Sequence, residues 1–147
     1  MKKTLLTLSL ALAGTVFTAT SSLAQGMGAD ALYQAFGAKP GLVKLMDDLM
    51  VRIEADPRLA RQFKDANKPR VKEQLVDQFC QVTGGPCPYK GADMKSAHAN
   101  LDITKADFNA LVEVLQQAMD AQGIPFRAQN QLLAQLAPMH RDVITVK

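Results

Sequence analysis

Between residues 42 and 53 the apolar side chains Leu42, Leu45, Met46, Leu49, Met50 and Ile53 recur at i, i+3, i+4, i+7, i+8 and i+11. That period puts all six on one stripe of an α-helix and argues against a strand. Three further segments follow the same rule. From Pro69 onward Val71, Leu75, Phe79 and Val82 share a face, with Gln74 and Gln78 flanking it. After Thr104-Lys105-Ala106-Asp107, which reads as a capping box, Phe108, Leu111, Val112, Leu115, Ala118 and Met119 line a helix that stops at Gly123. Ile124-Pro125 opens a last helix with Leu132, Leu133, Leu136, Met139 and Val143 inward, and Pro138 should kink or shorten it. A short helix over 29–36, closed by Gly37, precedes these, and Lys39-Pro40-Gly41 reads as a break before the strong helix. Asp56-Pro57 ends that helix and starts a turn with Leu59 and Phe63 apolar, followed by a polar loop over 64–69. No strand-like alternation, internal repeat or domain-splitting linker interrupts the pattern, so the expectation is one all-α domain.

The stretch from Phe79 to His98 stands apart. It begins as the end of an apolar helix and stops at Gly84-Gly85-Pro86, where glycine permits φ > 0 and Pro86 and Pro88 forbid the helix from resuming. A short helical turn then delivers His98. Met94, His98 and Leu101 are spaced i, i+4 and i+7, so one imidazole falls on an otherwise apolar stripe. A neutral ring nitrogen at the wall of an apolar slot is what an iron cofactor needs, although a lone histidine on such a face is more often a core or edge residue.

With Gly-Gly-Pro, Tyr89, Gly91, and Met94 four residues before His98, the run resembles the group I truncated hemoglobins, and the likeness extends from about Tyr33 to Val143. The resemblance implies a two-over-two helical sandwich around heme b, with His98 as the proximal iron ligand. It also implies Phe63, Met94, Phe79 and Leu101 as pocket walls, Phe63 being the aromatic packed on the heme ring. On the far side the chain departs from the family. Where a Tyr commonly sits late in the second helix this sequence has Met50, and Val71 and Leu75 occupy positions that are often polar, leaving Gln74 and Gln78 as the polar candidates nearby. The implied ligands are oxygen, nitric oxide and carbon monoxide, with weak discrimination for oxygen. Nitric oxide dioxygenase or peroxidase-like side activity would need a reductase that the sequence does not identify. Met50 could offer a thioether to iron, but a core methionine on a helix stripe is the plainer reading. His140 resembles, with an offset of about one residue, a histidine that bonds a heme vinyl in some members, and a surface histidine is the default. Lys68, Arg70, Lys72, Lys90 and Lys95 are the candidate partners of the heme propionates. Gly37 is followed by Ala38 where the family usually has a second glycine.

Met1-Lys2-Lys3, the apolar run 5–16 and the small residues Ser22 and Ala24 read as a secretory leader, which puts the mature start at Gln25 and the protein in the periplasm, with residues 25–147 as the globin domain. The apolar run is short for a membrane span. Lys2 and Lys3 leave with the leader, so 17 basic against 14 acidic residues becomes 15 against 14, a net charge of +1. A nearly neutral chain has no electrostatic footprint for nucleic acid. In an oxidising compartment Cys80 and Cys87 read as a disulfide across the Gly-Gly turn, ahead of free thiols or a redox pair, whose Cys-x-x-Cys spacing they lack. Two other classes stay in view. One is a copper binder using soft ligands such as Met46, Met50, Met119 and Met139, and the other a helical interaction module in which His98 is incidental.

Overall fold

The computed structural model describes Gly28 and residues 30–146, so the expected leader and start at Gln25 lie outside the described residues. Within them the chain is helical and has no strand. Helices α1 (Ala31–Ala35), α2 (Ala38–Ala55), α3 (Ala60–Phe63), α4 (Lys68–Val82), α5 (Met94–His98), α6 (Lys105–Ala121) and α7 (Phe126–Leu136) are followed by a 3-10 turn (Ala137–Met139) and α8 (His140–Val143). α2 packs on both α4 and α6, α6 on α7, and α5 on α8.

All six residues of the α2 stripe are buried, and Leu42, Leu45, Met46 and Ile53 are wholly inaccessible. Each such side chain contributes about 1.5–3 kcal/mol by leaving water, which makes α2 the spine of the core. It meets Val76, Phe79 and Cys80 of α4 and Val114, Leu115, Ala118 and Met119 of α6. Lys39-Pro40-Gly41 is not a break but the first turn of α2. The first helical N–H groups have no intrahelical partner, so a proline there costs nothing. Gly37 and Ala38 before it both have positive φ, at 77° and 54°.

The helix boundaries follow local chemistry. Asn67 caps α4 by accepting a hydrogen bond from the Arg70 backbone N–H at 3.2 Å, and Pro69 occupies its first turn. Its far end closes as a Schellman turn: Gly84 N–H donates to Gln81 O at 3.1 Å and Gly85 N–H to Cys80 O at 2.7 Å. The two glycines serve different needs. Gly84 takes φ 85°, whereas a Cβ on Gly85 would meet Cys80 Sγ at 2.6 Å and the Tyr33 ring at 2.7 Å. Thr104 and Asp107 form the expected capping box at the start of α6, with Asp107 N–H donating to Thr104 Oγ1 at 3.2 Å and Thr104 N–H to Asp107 Oδ2 at 2.9 Å. Arg61 reaches the same carboxylate at 3.0 Å and ties α3 to α6. Asp107 is therefore held below its ordinary 3.8, first by the Thr104 backbone N–H, then by the Thr104 hydroxyl and Arg61. Pro138 does what its missing N–H demands: α7 ends at Leu136 and the chain re-enters α-helix only at His140.

Candidate functional site

Cys80 and Cys87 are bonded, with Cα atoms 5.6 Å apart and a sequence separation of 7, so the end of α4 is stapled to the loop that leads to α5. That loop is held again by Tyr89, whose backbone N–H donates to Gln81 Oε1 at 2.6 Å and whose hydroxyl donates to Ala92 O at 2.7 Å. Burial, and secondly the nearby Asp93 charge, push the Tyr89 phenol above its ordinary pKa. Asp93 then starts α5 by accepting from the Ser96 N–H at 2.9 Å and the Ser96 hydroxyl at 2.7 Å, bonds that hold its carboxyl below the usual range. The result is a short helix that packs on α8 and touches α4 through Met94 and Gln78.

A cleft of about 180 Å³ opens between these elements, lined by Gln78, Gln81, Val82, Tyr89, Asp93, Met94 and Met139. Cofactor pockets usually enclose about 300–1,000 Å³, so this cleft, whose lining does not include His98, is too small to seat a porphyrin as it stands. His98 lies on the last turn of α5 and is half-buried. Its Nδ1 is 2.6 Å from Met94 O. A carbonyl only accepts, so in the neutral ring Nδ1 carries the proton and Nε2 is left with a lone pair. This is the tautomer a metal-bound histidine takes, with its second nitrogen donating to a backbone carbonyl. The donor chemistry of the site therefore fits an iron porphyrin.

The remaining sequence-derived residues are spread over several places. Met50 and Phe79 are buried in the core, and Phe63, Val71 and Leu75 pack half-buried against it. Gln74 turns toward the loop: its Oε1 lies against Gly91, where a Cβ would collide with it and with the Tyr89 ring, and it is buried with no hydrogen-bond partner. Leu101 lies beyond the end of α5, off the Met94–His98 stripe, and is 40 % exposed. His140 is exposed, with Nδ1 2.9 Å from Ala137 O and its ring edge-on to Phe108 at 6.3 Å. Gln78, placed by periodicity on a flank, is buried, and its amide donates to Met94 Sδ at 3.2 Å and Met139 Sδ at 3.5 Å. Met139, Tyr89 and Asp93 join the cleft without having been singled out for it. The Asp93–Ser96 spacing was the available signal for Asp93, since it marks a helix start.

Of the cationic candidates, Lys68 pairs with Glu54 at 3.0 Å and Lys72 with Asp47 at 2.7 Å. Arg70, Lys90 and Lys95 make no ion pair among the described residues. The cysteine sulfurs are committed to each other and offer no thiolate to a soft metal.

The family model described as bacterial-like globin matches residues 31–145, an interval that contains every element from α1 to α8. The chain belongs to that family. This globin is 32 % identical over 114 residues to the group 1 truncated hemoglobin GlbN of Mycolicibacterium paratuberculosis, an alignment spanning 78 % of this chain and 84 % of the relative. It is 31 % identical over 93 residues to the GlbN of Nostoc sp., covering 63 % and 79 %. In fold the globin is similar to the Fe(III) form of the truncated hemoglobin of Tetrahymena pyriformis, with a TM-score of 0.74 at 22 % identity over 77 % of this chain and 97 % of that one. It is also similar to the group II truncated hemoglobin of Bacillus anthracis, with a TM-score of 0.70 at 22 % identity over 78 % and 91 %. The all-helical architecture is thus the truncated globin fold. No helix of the described residues is long and apolar enough to cross a membrane.

Proposed function

We propose that this globin holds heme b through Nε2 of His98 and binds oxygen, nitric oxide and carbon monoxide. Membership in a family of globins supports the cofactor, and the observation that carries the assignment to His98 is the Nδ1 hydrogen bond to Met94 O, which leaves Nε2 free. When bound, the heme supplies an iron with a coordination position open to a diatomic gas. The chain supplies the rest. Met94 O fixes the rotation of the His98 ring. Phe79 and Met94 bring apolar surface that excludes water, with Phe63 on the α3 side. Arg70, Lys90 and Lys95 are the cations left for the propionates once Lys68 and Lys72 are committed to carboxylates.

Met50, Val71 and Leu75 provide no strong hydrogen-bond donor. A ligand side built from them holds oxygen about 1–3 kcal/mol less tightly than one with a tyrosine donor, which is roughly tenfold or more in affinity. Binding with fast oxygen release follows, and any nitric oxide dioxygenase turnover is correspondingly limited. The leader-like residues 1–24 and the Cys80–Cys87 disulfide support export to the periplasm.

Absorption spectra of the purified chain in the ferric, ferrous and CO-bound states, beside His98→Ala, test the assignment. The wild type should show a strong heme band that the substitution abolishes or shifts. A band unchanged in all three states by His98→Ala would remove His98 from the iron.

A further inference from the structure

Met94 on α5 and Met139 in the 3-10 turn converge on one amide, that of Gln78, at 3.2 and 3.5 Å. The triangle is unusual in its economy: a buried amide has two N–H groups to satisfy, and both sulfurs are weak acceptors. Leaving a buried donor so poorly matched carries a cost that a stronger acceptor in the same place would relieve. Both thioethers are half-buried and line the open cleft. Met46 and Met119, by contrast, are sealed in the core, and Met50 nearly so.

We propose that Met94 and Met139 form a peroxide-oxidisable pair whose sulfoxide oxygen is bound by the Gln78 amide. A sulfur lone pair attacks one oxygen of hydrogen peroxide and the O–O bond breaks. The sulfur is oxidised by two electrons to the sulfoxide, and the departing hydroxide takes the remaining proton and leaves as water. The new S=O oxygen replaces sulfur as the acceptor of a Gln78 N–H, exchanging a weak bond for a strong one. Because the backbone carbonyl of Met94 also holds His98 Nδ1, the modified side chain sits one hydrogen bond from the ring.

The full chain, disulfide intact, is treated with graded hydrogen peroxide and followed in two ways. Peptide mass spectra should show one added oxygen atom at Met94 and Met139 at a rate at least roughly tenfold above that at Met46 and Met119, which close packing shields. In amide NMR of the same samples the Gln78 side-chain protons should shift on oxidation, while those of Gln129, which donate to Asp120 Oδ1 and Ile124 O, stay in place. Equal oxidation rates at all these methionines would overturn the proposal. So would a Gln78 amide that does not move when Met94 and Met139 are oxidised, because exposure alone would then explain their reactivity.

Discussion

Reduction of the Cys80–Cys87 bond isolates one term of this protein's stability. The two cysteines are seven residues apart, and closing a loop of that size removes roughly 8 cal/mol/K of entropy from the unfolded chain, or about 2.5 kcal/mol at 25 °C. Little of this should be returned by the native state. The Schellman turn at Gly84 and Gly85 already holds the α4 terminus, and Tyr89 is bonded independently to Gln81. The assay is urea unfolding followed by circular dichroism, with and without reductant, on the wild type and on Cys80→Ala/Cys87→Ala. With a slope of about 1.5–2 kcal/mol/M, reductant should lower the wild-type midpoint by roughly 1–2 M and leave that of the double variant unchanged. Cys80 is wholly buried, so the variant should fall slightly further than the reduced wild type, by the packing of the lost sulfur. Coincident wild-type midpoints with and without reductant would refute the loop-entropy reasoning and mean that the staple constrains nothing in the unfolded ensemble.

Three other outcomes follow from single features. Ala38→Gly should stabilise the chain by about 1 kcal/mol in the same unfolding assay, because alanine at φ 54° pays a left-handed penalty of about 1–2 kcal/mol that exceeds the added freedom of glycine when unfolded. The Asp107 carboxyl has its folded pKa depressed below 3.8, so its contribution is complete above that value and is lost as pH falls through the depressed one. Acid titration of stability should therefore steepen in that window for the wild type and flatten for Asp107→Asn. Met50→Tyr should slow oxygen release about tenfold or more, measured by stopped-flow displacement with carbon monoxide, and an unchanged rate would mean that residue 50 does not face the bound gas.

The α2 stripe was legible because hydrophobicity and period coincide there, and all six residues are buried. Pro40 was misread because breaking power depends on position, and a first turn has no hydrogen bond for proline to break. Periodicity could say that Gln78 borders the apolar face of α4 but not that it turns inward, since a glutamine's place depends on the partners that other segments bring. Those partners are Met94 and Met139, and Met139 reaches it from the 3-10 turn around Pro138. Leu101 shows the opposite case: extrapolating a helical period past His98 assumes a helix that has already ended. The His98 tautomer was beyond sequence altogether, because it is set by a distance to a backbone carbonyl. What resemblance to a family supplied, local pattern alone would have left as an unremarkable histidine.

The five residues of α5 are too few to be helical on their own, since a nucleus of that length is unfavourable in water. Its order is borrowed from Asp93, the stapled loop and α8. His98 consequently rides on a small cooperative unit whose opening free energy lies well below that of α2. A group coordinated at Nε2, as proposed, would bind the closed form of that unit and not the open one, so its capture and escape would become steps of local folding. In hydrogen exchange the amides of α5 should be the ones whose protection rises most when the site fills.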